Sequence, residues 1–240
     1  LNARTQGRIV VRVSSGKRVL GETEAEVAVL AYGECDFSSH PDSLAAFVSP
    51  SSALRALSAK ADKKLAEWNR RRAGFYDGAS KNDVRNYFAA VYAVLGEQSL
   101  TRAEQSGDDV ILASAADVLK SKTASGLELA LLTAALLENA GIHATFGRCS
   151  GEWYAGAFLT DDCFGETVID EPSAVENRLG RGVNELSIVG VKGLFEGENF
   201  ESNERRTPAE IKTGFDFFVD LFYARISGIR PLPERVALPG

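Results

Sequence analysis

The sequence has only three cysteines, and their placement excludes two common kinds of cysteine chemistry. Cys35, Cys149 and Cys163 are odd in number and widely separated, and no two of them form a CxxC pair. A disulfide framework needs an even set, and a zinc site needs closely paired ligands. We therefore predict no metal and no cofactor. The spacing permits one bridge, from Cys149 to Cys163 across neighbouring strands, and it leaves the cellular compartment open.

Positive charge is also in short supply. The chain has 27 Lys and Arg residues against 33 Asp and Glu residues, so its formal net charge is −6. A protein that binds nucleic acid or an anionic membrane through electrostatics carries an excess of basic residues. The charge balance therefore argues against both of these as partners.

Methionine is absent, and so are long apolar runs. The most apolar run, at residues 129–137, has nine residues before Glu138 ends it, whereas a helix that spans a bilayer needs about 20. No signal-peptide pattern is present, and the chain begins at Leu1. We expect a portion of a longer protein, with no membrane span in this chain.

The first 48 residues have the composition of β-structure. β-Branched residues are frequent at 8–13 and at 26–32, and turn-forming residues stand at 14–17. Two or three strands do not form a stable domain alone. The segment must therefore pack on the rest of the chain or belong to a larger sandwich, and we assign residues 1–48 and 49–240 to separate units.

Helical periodicity predicts amphipathic helices in the second unit. Apolar side chains recur at spacings of three and four residues from residue 50 onward, over 82–95 and over 207–226. The last of these opens with Thr-Pro-Ala-Glu, a helix-start pattern. Residues 171–206 are rich in Gly, Asn and Glu, so we predict loops there, interrupted by one strand at 186–191.

The stretch at residues 122–142 organises the chain as one buried helix. Ser125 and Glu128 have the spacing of a capping box, in which each side chain bonds to the backbone N–H of the other residue. Apolar side chains then lie nearly all round the helix, as in a helix of the protein core. Gly141 suits the left-handed residue that ends such a helix.

After Gly141 the pattern changes from helical to alternating, which indicates strands. Apolar residues alternate over 142–147, and further strands are predicted at 153–159 and 166–169. Short turns separate the three strands, so we predict an antiparallel meander that packs against the central helix. The predicted fold class is α+β.

These patterns resemble a known family. The run Ala-Ser-Gly-Leu-Glu-Leu-Ala-Leu-Leu at 124–132, followed by Leu-Leu-Glu-Asn-Ala-Gly-Ile at 136–142, resembles the core helix of the transglutaminase-like branch of the papain-like fold. The resemblance is good over residues 114–170 and looser elsewhere. It implies a central buried helix packed on an antiparallel sheet, and an immunoglobulin-like β segment at 1–48. It also implies a bacterial cell-envelope protein, located in the periplasm or on the cell surface.

The family's catalytic positions are largely lost in this chain. Its cysteine, histidine and aspartate correspond by resemblance to Gly126, Glu152 and Asp170, so only the aspartate is kept. In such a site the helix start stabilises the thiolate and the histidine keeps it activated. Glycine offers no nucleophile, and an ordinary glutamate does not shuttle protons near neutral pH. We therefore predict no catalytic residues.

Three other arrangements of nearby residues offer chemistry. Ser125 precedes the lost nucleophile, although the capping box already explains its presence. Cys149 and His143 have the residue types of a dyad, but about six residues of strand, roughly 20 Å, separate them. Glu152 and Asp170 are the third arrangement, as paired carboxylates that act as acid and base or hold a cation.

The leading hypothesis is a non-catalytic domain that serves as a structural or binding module. Its predicted surface is a cleft between the start of the central helix and the strand that carries Glu152. There Trp153 and Tyr154 are expected to line a groove for a protein, peptide or glycan, unless one ring belongs to the core. Ser125 and Asp170 complete the candidate set. The alternatives are a hydrolase that uses Glu152 and Asp170, and a spacer for a neighbouring active domain.

Overall fold

A computed structural model describes residues 3–70, 76–104, 109–180 and 182–233 and shows an α+β architecture. The helices are Ser52–Glu67 (α1), Lys81–Gly96 (α2), Ala115–Ser121 (α3), Gly126–Asn139 (α4), Pro172–Leu179 (α5), Lys192–Glu196 (α6), Phe200–Gly214 (α7) and Leu221–Ile226 (α8), with a 3-10 helix at Pro41–Phe47. The strands are Thr5–Ser15 (β1), Arg18–Val29 (β2), Glu34–Asp36 (β3), Thr101–Arg102 (β4), Asp109–Ile111 (β5), Thr123–Ala124 (β6), Ala144–Cys149 (β7), Glu152–Phe158 (β8), Val168–Ile169 (β9), Leu186–Gly190 (β10) and Phe215–Asp220 (β11). The predicted α+β class is confirmed in this general form.

The predicted central helix forms as α4. Ser125 Oγ accepts a hydrogen bond from the Glu128 N–H at 3.2 Å, and the Glu128 carboxylate accepts one from the Ser125 N–H at 2.8 Å. Every residue from 129 to 137 is buried. The reason is that α4 packs on β7 and β8 and also contacts α1 and α2. Gly141, with a φ of +74°, follows the helix in the left-handed conformation.

The sheet beside α4 has five strands in the order β10-β8-β7-β11-β9, and all neighbours are antiparallel. The predicted pairing of β7 with β8 is therefore confirmed. The predicted meander is wrong for the third strand. Strand β9 does not lie beside β8; β10 takes that position, and β11 separates β9 from β7.

The single helix predicted over 207–226 is wrong at residues 215–220, which form a strand between two helices. Helix α7 begins at Phe200 after the N-cap Asn199, contains Pro208 in its interior and ends at Gly214. The chain then continues as β11 and α8. Successive side chains of β11 point to opposite faces of the sheet, so that Phe217 contacts the cluster around α4 and Phe218 contacts a second cluster on the other side. Tertiary packing of both faces thus overrides the helical spacing.

The segment 171–206 is also more ordered than its composition predicts. It contains α5, the predicted strand as β10, the short helix α6 and the first turn of α7. Asn203 explains part of this order, because its buried side chain bonds to both backbone groups of Gly190 and to the Tyr92 hydroxyl. The segment is therefore part of the body of the protein.

The first 48 residues divide between two environments. Strands β1 and β2 form a long antiparallel hairpin around Gly16, and most of its side chains are exposed on both faces. Phe37 and Leu44, by contrast, are buried in the same hydrophobic cluster as α4. The immunoglobulin-like character of residues 1–48 stays a prediction. Among the helices described, none has the length and apolar character needed to cross a bilayer.

The contact between β7 and β11 gives a test of the strand order. A Cβ added at Gly147 would lie 2.4 Å from Phe218 Cγ and 2.5 Å from the Phe217 carbonyl oxygen. We expect Gly147→Ala to lower the free energy of unfolding by roughly 1–3 kcal/mol, because β11 must move away. Urea denaturation measures this loss.

The matched control is Gly96→Ala in the last turn of α2, where the nearest atom to an added Cβ is 4.0 Å away. It should leave stability unchanged or raise it by up to about 1 kcal/mol, because alanine favours a helix over glycine. Equal effects of the two substitutions would contradict the placement of β11 beside β7.

Candidate functional site

The first turn of α4 is the predicted centre of the site, and a tryptophan covers it. Gly126 is the first residue of the helix. A Cβ at this position would lie 3.1 Å from Trp153 Cδ1 and 3.7 Å from Trp153 Cβ. The absence of a side chain at Gly126 therefore lets the indole approach the helix closely. No room is left between α4 and this part of β8 for an open cleft.

Packing on several sides holds Trp153 in this position. Its ring meets the Phe37 ring edge-on, with centroids 5.4 Å apart, and the Phe217 ring at 6.0 Å. The Arg148 guanidinium lies 5.9 Å from the indole centroid, within cation–π range. Only 5 % of Trp153 is exposed. The prediction that Trp153 lines a ligand groove is therefore wrong, because its ring is part of the core.

Tyr154 is also buried, on the opposite face of the sheet. Successive side chains of a strand point to opposite faces, and Tyr154 joins the cluster that contains Cys149 and Phe218. Its hydroxyl donates to a Glu210 carboxylate oxygen at 3.0 Å. The predicted role of Tyr154 in a shared groove with Trp153 is therefore also wrong.

Glu152 does not take the place that the resemblance gives it beside Gly126. The residue of β8 that contacts Gly126 is Trp153. The Glu152 carboxylate instead pairs with Arg102 of β4, with 3.0 Å between Nη2 and Oε2. Both side chains are partly exposed, so the ion pair contributes little to stability. The Glu152 carboxylate is therefore already paired with a cation of the chain.

Asp170 and Glu152 are not brought together. Asp170 directly follows β9 at one edge of the sheet, whereas Glu152 begins β8. Strands β7 and β11 lie between β8 and β9, and three steps of about 4.8 Å separate the two strands by roughly 14 Å. The predicted pairing of these carboxylates as acid and base, or around a cation, is therefore wrong. In the described part of the chain, no group of three His, Cys, Asp or Glu side chains is placed to hold a metal ion.

Ser125 acts as a helix cap. Its hydroxyl accepts from the Glu128 N–H, and Glu128 in turn accepts from the N–H groups of Ser125 and Ala113, at 2.8 and 2.7 Å. No histidine takes part in these hydrogen bonds. The arrangement satisfies backbone donors at the start of α4 and gives the hydroxyl no general base.

Cys149 and His143 do not form a dyad. They flank β7 at opposite ends, and the His143 ring stacks on Phe222, with centroids 3.9 Å apart. Cys149 is buried, and this burial raises the pKa of its thiol to about 12. It is a free thiol, as is Cys163, so the permitted bridge between them is not formed.

A cavity that no sequence pattern indicates lies beside α4. It has a volume of about 430 Å³ and is bounded by the starts of α1 and α3 and by one side of α4. Ser51, Ser114 and Glu128 provide polar groups, while Leu131 and Leu132 form an apolar wall. The volume is in the range of small-molecule sites. The cavity is lined by residues from five segments of the chain, at 32–33, 47–52, 112–118, 128–135 and 232, so no local pattern reveals it.

No protein-family model, curated protein or solved structure matches this chain. The resemblance of residues 114–170 to the transglutaminase-like family therefore stays a prediction.

The thiols give a direct test of the site. The thiolate is the reactive form of cysteine, and because burial raises the pKa of Cys149 to about 12, its thiol stays protonated at pH 8. We expect a disulfide reagent to label Cys163 in the native protein and to label the buried Cys35 and Cys149 only on unfolding.

The variant Cys163→Ser should then show almost no native labelling, with all labelling returning in denaturant. Rapid labelling of Cys149 in the folded variant would contradict the buried, protonated thiol and would reopen the question of a cysteine nucleophile.

The cap at α4 gives a second test. Ser125→Ala removes the acceptor for the Glu128 N–H and should lower the free energy of unfolding by about 1 kcal/mol. Ser125→Thr keeps the hydroxyl and should recover most of that loss, as measured by urea denaturation. A substitution to alanine without effect would show that the hydroxyl has no capping role.

Proposed function

We propose that this protein is a non-catalytic, transglutaminase-like binding module of a bacterial cell-envelope protein. The observation that carries the proposal is the contact of Trp153 with Gly126 at the start of α4. In the catalytic members of the transglutaminase-like family, the nucleophile stands at the start of the corresponding helix, where it is exposed to substrate. Here the position has no side chain, and an indole ring covers it.

The general architecture supports the resemblance to this family. A buried helix, α4, precedes an antiparallel strand pair, β7 and β8, and packs on it. The order of these three elements in the chain is the one that the family motif implies. The location in the periplasm or on the cell surface follows from the resemblance only.

The absence of a catalytic arrangement follows from the orientation of the nearby side chains. Acyl transfer by a cysteine needs a thiolate with an adjacent base. Gly126 has neither, and the Glu152 carboxylate is engaged with Arg102. The hydrolase alternative has no support from the geometry, because two strands separate Glu152 from Asp170.

The cavity beside α4 is the surface that best suits a binding role. Its polar lining includes Ser51 and Ser114, whose hydroxyls also cap α1 and α3 by accepting from the Leu54 and Asp117 N–H groups, and Leu131 and Leu132 offer apolar contact. A short peptide or a sugar with an apolar substituent presents the same mixture of groups. We therefore assign the ligand to this chemical class and place it beside α4, away from the Trp153 contact.

Turnover is tested with the double variant Glu152→Ala/Asp170→Ala. We expect wild type and variant to show the same background rate on ester, peptide and glycoside substrates, because these carboxylates do not act together. A control variant, Glu166→Ala/Glu171→Ala, changes two exposed acidic residues outside the candidate set. A rate that falls only in the Glu152/Asp170 variant would contradict the proposal and favour a hydrolase.

Binding is tested by co-sedimentation with purified peptidoglycan sacculi and by titration with the soluble peptides and glycans released from them. Ala116 is exposed and lines the cavity, whereas Lys120 is exposed on the same helix and does not. We expect Ala116→Trp to weaken binding at least about tenfold by blocking the cavity, and Lys120→Trp to leave it unchanged. Equal binding by both variants, or no binding by wild type, would overturn this assignment.

A further inference from the structure

A second cavity lies where the ends of α1 and α2 meet the start of α7. Its volume is about 450 Å³, which is in the range of small-molecule sites. It shares no lining residue with the cavity beside α4. Its lining includes three aromatic and three acidic side chains, those of Trp68, Tyr92, Phe200, Glu97, Glu198 and Glu201. We call it the aromatic cavity.

Two of its rings form a fixed wall, and the third is open to solvent. The Tyr92 and Phe200 rings meet edge-on, with centroids 5.7 Å apart, and are 3 % and 5 % exposed. Trp68, by contrast, is the C-terminal cap of α1 and is 43 % exposed. Tryptophan is the side chain whose ring attracts cations most strongly. The aromatic cavity therefore offers a solvent-accessible indole beside an apolar wall.

One ring of this cavity already binds a cation of the chain. The Arg85 guanidinium lies 5.3 Å from the Phe200 ring centroid, within cation–π range. The same guanidinium bonds to the Glu204 carboxylate, with 2.9 Å between Nε and Oε2. An aromatic ring and a carboxylate thus hold a cation together at one side of the aromatic cavity.

The charged side chains that line the cavity are all carboxylates among the residues described. Glu97 pairs with Lys64. Glu198 pairs with Arg206 at 2.7 Å. Neither of these basic residues lines the cavity. Glu201, exposed in the first turn of α7, forms no ion pair with a basic side chain of the described residues. One negative charge is therefore left over at the exposed side of the cavity.

We propose that the aromatic cavity binds a small organic cation, with its alkylated ammonium group against the Trp68 ring and close to the Glu201 carboxylate. The alkyl groups of such an ion need apolar contact, and its charge is attracted to the face of an aromatic ring. The pair of Arg85 with Phe200 and Glu204 has the same combination of groups. This site is separate from the cavity beside α4, and its ligand is independent of the one proposed above.

A metal ion fits the aromatic cavity less well than an organic cation. Ca²⁺ and Mg²⁺ take about six oxygen ligands or more at short distances. In the part of the chain that the structure describes, no three His, Cys, Asp or Glu side chains are placed to hold a metal ion. The three glutamates of the cavity are therefore too dispersed for a metal, whereas a larger ion with a diffuse charge needs only one of them nearby.

An anion is disfavoured as well. The start of α7 carries a partial positive charge, and the end of α2 carries a partial negative charge. Glu201 in the first turn of α7 offsets the positive end, and Asn199 caps it by accepting from the Ser202 N–H at 2.9 Å. An anion would therefore meet three carboxylates and a helix start that is already satisfied.

Isothermal titration of the full chain with choline tests the proposal, with 3,3-dimethylbutan-1-ol as the uncharged molecule of the same shape. We expect choline to bind with a dissociation constant of about 1 mM or below, and at least about tenfold more tightly than the alcohol. The chain has two tryptophans, and Trp153 is buried. A change in tryptophan fluorescence on titration with choline therefore reports on Trp68.

Substitutions separate the contribution of the ring from that of the charge. Trp68→Leu should weaken choline binding roughly fivefold or more, whereas Trp68→Phe keeps an aromatic face and should lose less. Glu201→Gln should weaken choline binding roughly fivefold and leave binding of the alcohol unchanged. The matched control is Glu196→Gln, which removes an exposed carboxylate of α6 that does not line the cavity. It should change choline binding less than about twofold, because solvent screens the charge.

Circular dichroism and urea denaturation establish that each variant keeps the fold. Absence of choline binding up to about 10 mM would overturn the proposal. So would equal affinities for choline and the alcohol, since the cavity would then select an apolar shape rather than a charge. Equal effects of Glu201→Gln and Glu196→Gln, or an unchanged affinity in Trp68→Leu, would place the cation elsewhere and overturn it as well.

Discussion

The contact between Trp153 and the first turn of α4 joins the central helix to the sheet and decides what this region can do. A helix start offers unpaired N–H groups and a partial positive charge, which enzymes use to stabilise an anionic nucleophile. Here the Ser125 and Glu128 side chains satisfy two backbone donors, and the indole packs against Gly126. The same packing that stabilises the core therefore closes the place where chemistry would occur.

The insertion of β11 into the sheet has consequences on both faces. Its residues alternate between the cluster around α4 and the second cluster, which ties α7 and α8 to the body. It also moves β9, and with it Asp170, away from β8. Strand β11, near the end of the chain, therefore packs on both faces of the sheet. It also separates Glu152 from Asp170, although these two residues lie close together in the sequence.

The surfaces left for interaction lie away from this centre. The cavity beside α4 combines serine residues with Leu131 and Leu132, which also belong to the core cluster. The β1–β2 hairpin exposes most of its side chains, and its two strands pair with each other. The body supplies stability, and recognition is free to use elements at its periphery.

Local patterns in the sequence were enough for α1, α2, α4 and the β7–β8 pair, because caps, glycines and side-chain periodicity act between residues that are close along the chain. The spacing of Ser125 and Glu128 is such a signal, and so is the change of period after Gly141. The same reasoning failed for residues 215–220, whose aromatic spacing fits a helix and a strand equally well. Their conformation depends on β7, about 70 residues earlier in the chain.

The site depended even more on tertiary structure. The sequence alone determined that no cysteine or histidine stands at the positions the family motif requires, since that is a matter of residue identity. Only the fold decided that Trp153 rather than Glu152 meets Gly126, that Tyr154 faces the other cluster, and that Asp170 lies two strands away. Those outcomes follow from strand order and from which face of the sheet each side chain occupies, and both are fixed by contacts between distant segments.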